Sequence, residues 1–320
     1  MCRASNAVSQ GAILIGIGQK GVRKIPVDSK FRMDPVALRR AIEEDAREGW
    51  RPFCVVATVG TTSTTSIDPI AEIAEICEGQ GLWLHVDAAY GGAAAILPEM
   101  RHVLNGCERA DSIVVNPHKW LFTPIDASAF YCRRLDILQR AFSLVPEYLR
   151  TSEGERVRNY MDYGIQLGRR FRALKLWMIF RYFGQKGIAA RISEHIRLAR
   201  QFASWIDGDP NFERLAQVPF STVCFRARPK DLVDLLEKSP NATDEIERYL
   251  DSLNEALLEA VNATGQVFMS HTRLGGKFVI RLAIGNIRTT EIHVSRAWAL
   301  LRDHAARLDK ELRPLTMRLH

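Results

Sequence analysis

The sequence predicts an α/β fold, a parallel sheet covered on both faces, followed by a smaller α+β part built on an antiparallel sheet. Three observations carry that expectation. From residue 53, short and nearly continuous apolar runs alternate with amphipathic segments, the pattern of strands buried between helices. After about residue 176 the texture turns to long arginine-rich helical stretches and to strands with polar alternation. The 320 residues, 47% of them hydrophobic, suffice for one large core and a smaller one. Two domains are therefore expected, 1–176 and 177–320.

The strand candidates of the first domain are "FCVVATVG", "LWLHVD", "SIVVN" and "ASAFYC". Between the first two, "PIAEIAEICEG" reads as a helix. Asp68 suits the N-cap, Pro69 the first turn, and Ile70, Ile73, Ala74 and Cys77 recur on one face until Gly79 and Gly81 stop it. The second domain offers a long helical run, then strand-like "TVCFRAR" and a helix through "IERYLDSLNEALLEAVNATG". Strand-like "GKFVIRLAI" and a last helix over "EIHVSRAWALLRDHAARL" complete it. There is no internal repeat and no low-complexity linker.

Composition narrows the function classes. No apolar run approaches the roughly 20 residues that cross a bilayer, and "AILIGIG" is short, glycine-broken and lacks a small-residue cleavage site after it. A soluble, cytoplasmic protein with no membrane partner is expected. The six cysteines are far apart, with no CxxC pair and no zinc-type cysteine and histidine spacing, so free thiols in a reducing compartment and no metal are expected. The net charge of +7 is spread along helical stretches without an aromatic platform or a nucleic-acid motif, which argues against a nucleic-acid partner.

Unusual residues gather at three strand ends: "ATVGTT", "HVDAAYGG" and "NPHKW". In an open parallel sheet the carboxyl ends of the strands form the ligand crevice, so the three should converge. Asp87 follows the apolar Leu82, Leu84 and Val86, and a carboxylate buried there needs a partner. Taken alone it is better explained as a helix cap or as half of an ion pair with a nearby arginine. The small residues Ala88, Ala89, Gly91 and Gly92 favour the other explanation, that space is cleared for something flat. Lys119, one strand further on beside His118 and behind Asn116-Pro117, would by itself be a lysine reaching to solvent.

Taken together, a lysine and an aspartate at neighbouring strand ends over a floor of alanine and glycine fit pyridoxal 5′-phosphate. The amine forms a Schiff base with the cofactor aldehyde, and the carboxylate keeps the pyridine nitrogen protonated so that the ring accepts electrons.

At this point the chain resembles a known family. "NPHKW", "HVDAAYGG", "VATVGTTSTTSIDP", "LNGCERADS" and "LGRRFRALKLW" are similar to motifs of the group II pyridoxal-dependent amino acid decarboxylases, above all the aromatic-L-amino-acid decarboxylases. The likeness is collinear over nearly the whole chain and densest from 51 to 183. It implies a fold-type I (aspartate aminotransferase-like) large domain, incomplete at its N-terminus, with a small α+β C-terminal domain. It further implies a homodimer acting on a small-molecule amino acid, an aromatic one such as dopa, tyrosine, phenylalanine or tryptophan.

By the same resemblance, Lys119 matches the Schiff-base lysine, Asp87 the partner of the pyridine nitrogen, and Ala89 the alanine against the ring. Thr62 and Asn116 match positions lining the cofactor, the asparagine near its phosphate, and His118 the histidine before the lysine. Tyr148, in "VPEYLR", matches the tyrosine of a mobile loop that returns a proton to the substrate carbon after carbon dioxide leaves. Relatives with phenylalanine there make an aldehyde, so Tyr148 points to the amine. A glycine at the position of Gly168 accompanies indole substrates in plant relatives, while animal relatives with glycine accept both indoles and phenols.

The chain also departs from the family. Family members carry well over a hundred residues before this start, including the phosphate-binding loop at a helix N-terminus, and Ser5 stands where the family's ring-stacking histidine should be. An internal start or a truncated gene is the expectation that follows. A catalytically impaired remnant is accordingly the alternative to a decarboxylase, with an aldehyde synthase behind both.

Overall fold

The structure, a computed structural model, describes residues 6–144, 159–238 and 243–317. Its first part runs through α1 (Asn6–Leu14), α2 (Pro35–Arg47), β1 (Cys54–Thr58), α3 (Ile70–Gln80), β2 (Trp83–Asp87), β3 (Ser112–Val115), α4 (Pro117–Trp120), β4 (Ala129–Cys132) and α5 (Leu135–Phe142). Helix α2 starts where the Asp34 carboxylate accepts the N–H groups of Val36 and Ala37 and Pro35 fills the first turn, and it buries Ala37, Leu38, Ala41 and Ile42.

The strands lie in the order β1-β2-β3-β4. The first three are parallel, but β4 runs antiparallel to β3, pairing Val115 with Ala129. That corrects the expectation of a wholly parallel sheet. A parallel return needs a crossover of about a dozen residues or more, usually a helix packed on the sheet. Here the connection holds only the four-residue α4, so the chain doubles back beside β3. Coverage is also uneven. Strands β1 and β2 alternate buried with partly exposed residues, and on β4 Phe130 and Tyr131 are exposed.

Helix α3 forms as the periodicity predicts, burying Ile70, Ile73, Ala74 and Cys77, and Gly81 closes it in a left-handed conformation at φ 64°. Each fully buried isoleucine contributes about 1.5–3 kcal/mol. Asp68 is not its cap. Its carboxylate instead accepts the N–H of Met33 at 2.7 Å and of Thr58 at 2.8 Å, tying the end of β1 to the segment before α2. Gly79 lies inside the helix rather than ending it.

The second part comprises α6 (Arg172–Gly208), β5 (Phe212–Arg214), β6 (Thr222–Ala227), α7 (Lys230–Lys238), α8 (Thr243–Ala263), β7 (Ser270–Leu274), β8 (Lys277–Ala283) and α9 (Glu291–Leu312). Its sheet is antiparallel in the order β5-β6-β8-β7. Leu250, Leu253 and Leu257 of α8 and Leu301 of α9 share a core with Val223, Phe225 and Ile280 of the sheet. Helix α6 breaks at Gly184 (φ 63°). Beyond the break it serves two cores: Ile188, Ile192 and Ile196 pack with Ala57, Leu84 and Val86, while Leu198, Phe202 and Ile206 pack under the second sheet. One helix thus joins the site-bearing sheet to the antiparallel sheet.

Candidate active site

The three strand ends meet. Register pairs Thr58 with Asp87 and Asp87 with Val114, so the parallel strands finish level. The loops beyond them are then bonded to one another. Val59 N–H donates to the Asp87 carbonyl at 2.9 Å, Gly91 N–H to that of Val59 at 3.1 Å, Ala88 N–H to that of Val114 at 3.0 Å and Asn116 N–H to that of Ala89 at 3.1 Å. Asp87 is half-buried, and its Oδ1 accepts the Ala89 N–H at 3.0 Å. Ala89 is buried beside it.

Lys119 sits on α4, held by its backbone N–H to the Asn116 carbonyl at 2.9 Å. The lysine side chain is exposed and, among the described residues, makes neither hydrogen bond nor ion pair; Asp87 makes no ion pair either. Asn116 caps α4 only through its backbone, and its Oδ1 accepts the Ser128 hydroxyl at 2.6 Å. His118 turns its Nδ1 to the backbone of Ala127, 2.6 Å from the carbonyl oxygen and 3.2 Å from the nitrogen.

The small-residue run has a different use from the one expected. A Cβ on Gly91 would lie 2.6 Å from the Val59 carbonyl oxygen and 2.8 Å from the Phe220 ring, and one on Gly92 would lie 2.9 Å from Val115. These glycines let the loop after β2 press against β1 and β3 rather than opening room. Ala88 is fully buried beneath Gly92. Ala89 lies beside the Asp87 carboxylate, to which its N–H donates.

Thr62 is exposed in the turn after β1. That turn carries positive φ at Gly60 (89°) and Thr65 (56°) and is grasped by the antiparallel sheet. Arg281 donates to the carbonyls of both Thr62 and Ser63, the Cys224 thiol donates to that of Ser63, and the Ser63 and Thr272 hydroxyls are 2.9 Å apart. Tyr148 and Ser5 lie outside the described residues. Gly168 is exposed and borders an open depression of about 640 Å³ with Ile125, Asp126 and Arg172. Another depression of about 340 Å³, between Lys30 and the start of α3, contains none of the predicted site residues.

The sequence reading missed the aromatic support beneath Lys119. Trp120 is fully buried and stacks on Tyr90, with ring centres 4.7 Å apart and planes 8° apart, while Phe220 meets both edge-on. The signal was present in the quoted motifs, since "NPHKW" and "HVDAAYGG" each contain one of the stacked rings. His195, which accepts from the Trp120 indole, announced itself only as a histidine in an arginine-rich helix.

Comparison with known proteins gives a consistent picture. The family model described as the pyridoxal-dependent decarboxylase conserved domain matches residues 3–228. A tryptophan decarboxylase of Camptotheca acuminata is 42% identical over 302 residues, which are 93% of this chain and 58% of that protein. An aromatic-L-amino-acid decarboxylase of Sus scrofa is 41% identical over 308 residues, 96% and 59% of the two chains. A phenylacetaldehyde synthase of a Rosa hybrid cultivar is 40% identical over 296 residues, 91% and 57%. The crystal structure of Oryza sativa TDC with PLP and tryptamine superposes with a TM-score of 0.85 at 37% identity, covering 93% of this chain and 60% of that one. The chain thus spans somewhat under 60% of the length of the curated relatives it matches.

Proposed function

The chain belongs to the pyridoxal-dependent decarboxylase family, with the fold-type I architecture of its structural neighbours, and from that premise we propose that it decarboxylates an aromatic L-amino acid to the amine and carbon dioxide. The observation that carries the reading is the pair Lys119 and Asp87: two groups of opposite charge on adjacent, mutually bonded strand ends, neither of them engaged in an ion pair among the described residues.

The donor set fits pyridoxal 5′-phosphate, the cofactor of the family. An exposed, unpaired lysine amine is what an aldehyde requires. A half-buried carboxylate with one oxygen fixed by Ala89 N–H keeps the other for a ring N–H. When bound, the cofactor supplies a protonated aromatic ring that draws off the electrons released as the substrate loses carbon dioxide.

The chain's own residues then have distinct tasks. Lys119 would hold the cofactor through its aldehyde and release it to the substrate amine. Asp87 would hold a proton at the ring nitrogen, with Ala89 flat against the ring. Asn116, His118 and Thr62 would line the cofactor, Asn116 toward the phosphate. Tyr148 would return the proton to the substrate carbon. An aromatic substrate is supported by the relatives, which include a tryptophan decarboxylase and an aromatic-L-amino-acid decarboxylase.

A homodimer belongs to the same proposal, supported by the apolar surface left on Phe130, Tyr131, Trp177, Met178 and Phe180. A cytoplasmic location is supported by the free thiols of the described cysteines. Among the described residues no helix is long and apolar enough to cross a membrane.

A second reading, oxidative conversion of the substrate to an aldehyde, is favoured by the phenylacetaldehyde synthase at 40% identity. Tyr148 weighs against it by resemblance, and assaying amine against aldehyde and hydrogen peroxide separates the two. For the cofactor itself, the purified chain mixed with pyridoxal 5′-phosphate should gain an absorbance near the visible edge that Lys119→Ala lacks. A spectrum unchanged by that substitution would remove Lys119 from its role.

A further inference from the structure

Among the described residues the Lys119 side chain makes no hydrogen bond or ion pair, so its position depends on what fixes the short helix beneath it. A four-residue helix has too few internal bonds to hold an orientation by itself. Besides the bonds of Asn116 to Ala89 and of His118 to Ala127, Trp120 holds α4. Its indole is fully buried between Tyr90 and Phe220, and its Nε1–H donates to Nδ1 of His195 at 3.1 Å. The two ring planes are nearly parallel, 8° apart.

An indole nitrogen only donates, so Nδ1 of His195 must be the acceptor and the ring proton lies on Nε2. Nε2 then donates to the Asn286 carbonyl at 3.1 Å, between β8 and α9. His195 is 1% exposed and Phe122 meets it edge-on, which leaves it one arrangement and one tautomer. Burial disfavours the charged ring, in agreement with Nδ1 acting as acceptor.

We propose that His195 is a positioning residue for Lys119: by accepting from Trp120 and donating to Asn286, it locks α4 against α6 and the second domain so that the lysine stands over the crevice beside Asp87. The inference rests on Lys119 being the cofactor lysine. Its content is that the Nδ1 acceptor, and not the ring volume, sets the lysine's reach.

The test uses pyridoxal 5′-phosphate with the full 320-residue chain, borohydride reduction of the lysine–cofactor link, and mass spectrometry of the peptide carrying Lys119. His195→Asn keeps an oxygen near the place of Nδ1, whereas His195→Gln places its amide near Nε2 and leaves the indole N–H without an acceptor. A buried donor left unmade should lower labelling of Lys119 by about tenfold in His195→Gln, with His195→Asn within about twofold of the unsubstituted chain. In a Trp120→Phe background, which keeps the stack and removes the N–H, the Asn and Gln variants should label equally.

Equal labelling of His195→Asn and His195→Gln with Trp120 intact would overturn the positioning role. So would a Gln defect that persists in the Trp120→Phe background. Failure of the unsubstituted chain to label at Lys119 would instead overturn the cofactor assignment, and the inference with it.

Discussion

Arg281, on β8, donates its Nη2–H to the carbonyl oxygen of Thr62 at 2.6 Å and its Nε–H to that of Ser63 at 2.8 Å. One guanidinium from the antiparallel sheet thereby fixes the turn after β1, where a predicted cofactor residue lies. Its third contact, Nη1 to the Ser270 hydroxyl at 3.0 Å, holds the fork in its own sheet. The planar fork matters here, because two successive carbonyls are met by donors of fixed separation.

Arg281→Met is expected to lower unfolding free energy by about 1.5–3 kcal/mol, the range for hydrogen bonds to a charged group. It should also weaken retention of pyridoxal 5′-phosphate. Arg281→Lys should recover little of either, since one ammonium cannot span both carbonyls. Denaturant titration with and without cofactor checks this, and a lysine variant equal to the unsubstituted chain would contradict it.

Two glycines should respond oppositely to the same change. At Gly91 an added methyl meets the Val59 carbonyl and Phe220 at under 3 Å, so Gly91→Ala should destabilise by about 1–3 kcal/mol as overpacking does. Gly79 lies inside α3 with nothing within 4 Å of its Cβ direction, so Gly79→Ala should stabilise by about 0.5–1 kcal/mol. Urea midpoints at constant slope read both.

The folded chain should lose stability as pH falls below 6.5. Burial lowers the basicity of His195 and of His85 from the ordinary 6.5, so the unfolded state binds more protons just below that value. Each depressed histidine contributes fully above pH 6.5 and loses its contribution as pH falls toward its folded value, with a slope of up to ~1.4 kcal/mol per pH unit. Carboxylates such as Glu194, held low by Arg197, act below their ordinary 4.5 and fall outside a comparison between pH 7 and 5.5. Buried Asp68 is shifted upward and works in the opposite direction, so the contrast is drawn against a variant. His195→Asn should show the shallower slope; an unchanged slope would contradict the assignment.

That the ends of β1, β2 and β3 meet was legible in the sequence because apolar strands end abruptly in polar residues, and parallel strands finish on one side. The direction of β4 was not. "ASAFYC" has the same two-residue period whether it runs parallel or antiparallel, and only the shortness of α4 decides. Asp68 before Pro69 looked like a cap, but two backbone N–H groups distant in sequence compete for its carboxylate and win. Gly91 and Gly92 looked like room for a ring; the space is taken by Phe220 and Val115, whose approach no local pattern encodes. The supports of the site lie further away still. Trp120 and His195 are 75 residues apart, and Thr62 and Arg281 219 apart, so neither bond leaves a periodic trace.

The most direct test of the central claim is release of carbon dioxide from carboxyl-labelled phenylalanine, tyrosine, dopa and tryptophan by the purified chain with pyridoxal 5′-phosphate. The account predicts release from at least one of them with the amine as product, abolished by Lys119→Ala. No release from any, or release that survives Lys119→Ala, would contradict it.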